Sequence, residues 1–176
     1  MIETLKNKAA KFIVKNRIPG IDFDHRNFSS VFTKTYSFLI IMPENERDFR
    51  LIFPILEYLK EQRKNIIILT HDFRISLLAP YFKTNAVEHG INDSTKLNLP
   101  SKNLLNKLTN MRFDVLIDTN REENLFYSYI AKLLDVKVKI GFVRTDSDNY
   151  FNFQIVSKQN DPEISYNNLL DCLKMF

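Results

Sequence analysis

Two short polar runs hold most of the side chains here that are equipped for chemistry. Pro43-Glu44-Asn45-Glu46-Arg47-Asp48 follows one apolar stretch, and Asp118-Thr119-Asn120-Arg121-Glu122-Glu123 follows another. If both stretches are strands of one parallel sheet, the runs lie on the same rim. Asp48, Asp118, Asn120, Arg47 and Arg121 would then converge on a single crevice, where ligands of such sheets bind. Arg144, in Phe142-Val143-Arg144-Thr145-Asp146-Ser147-Asp148-Asn149, is placed to join them. The same residues also have a purely structural reading. Asn45 suits a helix N-cap, with Asp48 three residues on, close to a capping box, and Asn120 with Glu123 makes a second capping pair. The first run contains no glycine. Its side chains, two of them acidic between Glu44 and Arg47, occupy the space and charge that an anionic ligand would need at a helix start.

The elements that must position these residues follow from hydrophobic patterning. Residues 2–16 place Ile2, Leu5, Ala9, Phe12, Ile13 and Val14 at helical spacing with lysines between, an amphipathic arm. Residues 17–32 read as irregular, punctuated by Pro19-Gly20. From Tyr36 the pattern alternates: strands at 36–42, 65–70, 85–89, 113–118, 136–141 and 150–156, and helices at 47–63, 73–82, 101–111, 122–135 and 162–176. Pro54 should kink the first of these helices, Pro80 should end or bend the second, and Pro162 suits a first turn. Phe49, Ile52, Phe53, Leu56 and Leu59 form a core stripe by spacing. Near-continuous apolar strands separated by helices specify an α/β fold: a single Rossmann-like domain, a parallel sheet covered by helices on both faces. The chain divides into a basic arm and linker, 1–35, and the domain, 36–176.

Asp48 with Pro54 in Arg47-Asp48-Phe49-Arg50-Leu51-Ile52-Phe53-Pro54, the strand Asn65 to Thr70, Asp118 with its polar turn, and Gly141-Phe142 after the fifth strand occur in an order that resembles heptosyltransferase-type bacterial glycosyltransferases, family 9. The resemblance covers about residues 36–175, the acceptor-side half of the two-domain GT-B architecture. It implies Asp48 as general base towards an acceptor hydroxyl, with Asp118, Asn120, Arg121 and Arg144 positioning the acceptor. It also implies that the nucleotide-sugar-binding half is not in this chain. Two functions are therefore expected: a cell-envelope (lipopolysaccharide) glycosyltransferase homologue that needs a separate donor-domain chain, or a non-catalytic binding or scaffold module that self-associates or docks a partner through the former interdomain face. For the isolated chain the second is preferred, with Asp48 as a cap, because a base is idle without a donor site.

Composition sets the remaining bounds. The 176 residues are 44% hydrophobic and 26% charged with three glycines, fitting one globular domain. Net charge is +4. Residues 1–36 hold seven basic and three acidic side chains, and the remaining 140 balance at 18 each, so the basic character is N-terminal. Without a basic groove in the sheet region no nucleic acid partner is expected, and the aromatic residues read as core. No apolar run reaches the roughly 18 residues of a membrane span. The expected location is cytoplasmic, with peripheral contact between residues 1–16 and the inner membrane as one reading of the arm; packing on its own domain and docking on a partner are the others. Cys172 is alone and reads as a small core hydrophobe, although its neighbours Leu169, Leu170, Leu173 and Phe176 could have faced the missing domain. His25, His71 and His89 are scattered with no metal-ligand spacing, so neither metal nor cofactor is expected.

Overall fold

The computed structural model describes residues 2–16, 31–157 and 161–175. The expected irregular stretch, Pro19-Gly20 and His25 lie outside them, as does Phe176. The described residues form a six-stranded, wholly parallel sheet in the order β3-β2-β1-β4-β5-β6. Its strands are β1 Ser37–Ile41, β2 Asn65–His71, β3 Ala86–His89, β4 Val115–Asp118, β5 Val138–Phe142 and β6 Phe153–Ile155. β1 pairs with β2 on one side and β4 on the other, so the winding direction reverses there and opens a crevice beyond the carboxyl ends of this pair.

Alternate residues of the strands feed two cores. Phe38 and Ile40 of β1 pack towards α3 (Glu46–Leu51), α4 (Phe53–Glu61) and α8 (Pro162–Lys174), with α2 (Val31–Lys34) and α5 (Pro80–Lys83) adding Phe32 and Phe82. Leu39 and Ile41 pack towards α1 (Ile2–Asn16), α6 (Lys102–Thr109) and α7 (Leu125–Leu133). The two-residue repeat of a strand thus supplies both layers from one apolar run.

Several boundaries depart from the sequence reading for local reasons. The single helix expected at 47–63 is two, broken at Ile52 two residues before Pro54, which sits in the first turn of α4 and donates no backbone hydrogen bond. Phe49, Ile52, Leu56 and Leu59 of its stripe are buried. Pro80 does not end a helix. Ala79, held extended by the following proline, separates a 3-10 helix at Asp72–Leu77 from α5, which Pro80 opens. Pro162 opens α8 as expected.

The N-terminal arm packs on the sheet domain, and only Val14, with Ile13 partly buried beside it, follows the face its apolar spacing suggested. Ala10 and Val14 are buried in the core that includes α7, whereas Leu5 and Phe12 are each 63% exposed. The Lys132 ammonium of α7 donates to the carbonyls of Val14 at 2.9 Å and Lys15 at 3.1 Å, closing the C-terminal end of α1. At the other end of the chain, Leu169, Cys172 and Leu173 of α8 are buried in the domain's own core and offer no apolar patch to a partner. Gly141 in β5 lies against the Phe151 ring, which a Cβ would approach to 2.7 Å.

Candidate functional site

The crevice floor is built from the ends of β1 and β4. Thr119 donates its hydroxyl to the Ile41 carbonyl at 2.6 Å, and Asn120 accepts from the Glu44 N–H at 2.9 Å while its amide donates to Met42 O and to Asp118. Asn120 therefore ties the two turns together and caps nothing. The cap of α7 is Asn124, whose side chain accepts from the Phe126 N–H, because the helix starts three residues later than expected. Asn45 does cap α3, accepting from the Arg47 N–H at 2.9 Å. The Arg47 side chain is exposed.

Asp48 is not part of a capping box. Its carboxylate, 4% exposed, accepts from Arg121 Nε at 2.8 Å and Nη2 at 3.2 Å and lies 3.1 Å from the Tyr166 hydroxyl of α8. Burial, together with the Asp48 charge, raises the Tyr166 phenol, so it stays protonated beside the carboxylate. Asp118 is likewise committed, paired with Arg144 and accepting from the N–H and amide of Asn120. Arg144 also donates to the carbonyls of Asn120 and Glu122, and its guanidinium lies over the Phe151 ring. Five of the six residues selected from the sequence, Asp48, Asp118, Asn120, Arg121 and Arg144, are thus gathered at this rim, as two buried ion pairs with the Asn120 amide bonded to one of them, while Arg47 is exposed. A cavity of about 280 Å³ opens between the turns, with Asp48, Asn120 and Arg121 in its wall.

A larger cavity, about 500 Å³, lies alongside and shares Glu44, Glu123 and Asn124 with the first. Its chemistry comes from residues the sequence left scattered. His71 ends β2 and His89 ends β3, and the parallel register sets them side by side with ring centroids 4.1 Å apart. His89, 2% exposed, stacks on Phe126 and meets the Tyr127 hydroxyl at 3.0 Å. Burial, reinforced by His71, pushes His89 down to about 4, so it is neutral at physiological pH. Burial also raises Tyr127. Glu44 accepts from Asn124 at 2.7 Å and stands 3.7 Å from His71 Nε2, while Lys11 of α1 pairs with Glu123 at 2.9 Å, which raises the lysine. Two residues of this wall hold a buried polar atom with no hydrogen-bond partner among the described residues, His89 Nδ1 and Glu123 Oε1. The signal that could have found the histidines is that each closes a strand, and strand ends of one parallel sheet share a rim. Among the described residues no three His, Cys, Asp or Glu side chains are arranged to hold a metal ion.

Sheet order, two-sided helical cover and a polar crevice at the β1/β4 reversal define a Rossmann-like α/β domain. The chain belongs to DUF6913, a family of unknown function whose model matches residues 6–176. No curated protein and no solved structure matches it.

Proposed function

We propose that this domain is a non-catalytic binding module that takes an uncharged, hydroxyl-bearing small molecule in the cavity beside its switch-point crevice. The observation that carries the reading is a cavity of about 500 Å³ lined by His89 and Glu123, two residues that each hold a buried polar atom, Nδ1 and Oε1, with no partner among the described residues. A buried polar group left unpaired costs about 1–3 kcal/mol, which a ligand that satisfies it returns as affinity. The neutral His89–Tyr127 pair leaves one donor and one acceptor free in either imidazole tautomer, and a hydroxyl group can answer both. Glu44 and Glu123 against Lys11 make the wall unfavourable to anions. Asp48 supports the non-catalytic part: its carboxylate is held in a buried ion pair with Arg121 beside the Tyr166 hydroxyl, so an acceptor hydroxyl would have to compete with that pair to reach it.

Titration calorimetry with neutral monosaccharides and with nucleotide-sugars tests this. Heat is expected from at least one neutral sugar and is lost in His89→Phe, with none from nucleotide-sugars. Silence from every neutral sugar, or saturable binding of a nucleotide-sugar, refutes it.

A second reading keeps the glycosyltransferase resemblance: a heptosyltransferase-like acceptor half that works with a donor-domain chain, with Asp48 as base. The position of Asp48 in the wall of the smaller cavity favours it. Transfer that appears on adding such a chain and vanishes in Asp48→Ala supports that reading over the first. Attachment to the inner face of the membrane is also proposed, through α1.

A further inference from the structure

We propose that α1 is a docking helix that lays Leu5, Ala9 and Phe12 on an anionic lipid surface while its opposite side stays fixed on the domain. These residues are exposed, Leu5 and Phe12 to 63% each, and their spacing of four and three places them in one stripe. The helix cannot turn that stripe inward. Ala10 and Val14 are buried, Lys132 holds the carbonyls of Val14 and Lys15, Lys11 is paired with Glu123, and Lys15 lies 3.7 Å from Asp146.

The borders of the stripe identify its occupant. At 3.6 residues per turn Lys8 falls on one side of it and Lys6 on the other, both exposed. A leucine and a phenylalanine between lysines match the boundary between acyl chains and anionic headgroups. A second copy fits less well. A two-fold contact through this stripe would set the lysines of one protomer near those of the other. Two large apolar side chains also fall well short of the roughly 800 Å² per partner that stable interfaces bury. The docking is independent of the cavity ligand.

Flotation of the full chain with phosphatidylglycerol-containing vesicles, against pure phosphatidylcholine vesicles, tests the proposal. Retention is expected on the anionic vesicles alone, released by added salt. Lys6→Gln with Lys8→Gln should weaken it about 30-fold, a factor of about five for each charge. Leu5→Ser with Phe12→Ser should abolish it while leaving the helical circular dichroism and melting temperature unchanged, since both side chains are already exposed. No retention of the wild-type chain, or undiminished retention of the Leu5/Phe12 variant, overturns the proposal. So does a Leu5/Phe12 variant that changes sedimentation without changing retention, since the stripe would then join copies of the chain.

Discussion

Acidification should destabilise this protein more steeply than its carboxylates alone require, and His89 supplies the excess. In the unfolded chain a histidine titrates near 6.5, whereas burial beside His71 holds His89 at about 4 in the fold. Between those values the unfolded chain takes up a proton that the native state refuses, so stability is full above the unfolded value and falls as the pH drops through this window. The whole shift corresponds to about 3 kcal/mol, of which about 2 kcal/mol should be lost between about pH 7 and about pH 4.5. His89→Gln keeps a group able to hydrogen-bond Tyr127 and removes the titration. The variant is less stable at neutral pH because it packs less well against Phe126 and Tyr127, yet its acid limb should be flatter by about 2 kcal/mol over the same interval. The assay is urea unfolding followed by far-ultraviolet circular dichroism, since the chain has no tryptophan. Every other titrating group is common to the two proteins, so the comparison isolates His89. Equal losses, within about 0.5 kcal/mol, would show that the imidazole is already protonated in the native state, and the argument from its burial would fail.

Asp48→Ala removes the carboxylate that the Arg121 guanidinium faces in a nearly closed site, while the Tyr166 hydroxyl keeps the Thr119 carbonyl at 2.9 Å, and should cost about 3–4 kcal/mol in urea unfolding. A cost below about 1 kcal/mol would mark Asp48 as a surface group and reopen the catalytic reading. Lys139 in β5 is 2% exposed, and burial lowers it to about 8. Its penalty is greatest below that value and fades as the pH rises towards 10.5, so Lys139→Met should be more stable at neutral pH by up to about 3 kcal/mol, with the gain shrinking in alkali. Gly141→Ala drives a Cβ to 2.7 Å from the buried Phe151 ring and should cost about 1–3 kcal/mol, read as a lower melting temperature.

The strand-and-helix alternation was legible because a strand buried on both faces reads as an unbroken apolar run. Phe38 to Ile41 shows this, with successive residues entering opposite cores. The rim was legible for the same reason: Asp118 closes β4, Asn120, Arg121 and Arg144 follow strand ends within three residues, and Asp48 lies in the first turn of the helix after β1. The buried face of α1 was legible only in Ile13 and Val14. Its apolar residues spread across two overlapping faces, and the docking surface on α7 selected the smaller Ala10 and Val14 over Leu5 and Phe12. Nor were the charge partners legible. Asp48 meets Tyr166, 118 positions away, and no local pattern encodes that meeting.

The sequence by itself determined the order of elements, the parallel sheet and the rim on which its polar turns lie, because these follow from periodicity along the chain. Only the tertiary structure decided what the rim's side chains do there. It closed Asp48 and Asp118 into ion pairs and set His71 against His89, leaving Nδ1 of His89 and Oε1 of Glu123 without partners among the described residues. Whether a buried polar group is answered depends on what distant segments bring within about 3 Å of it, and spacing along a chain carries no record of that distance.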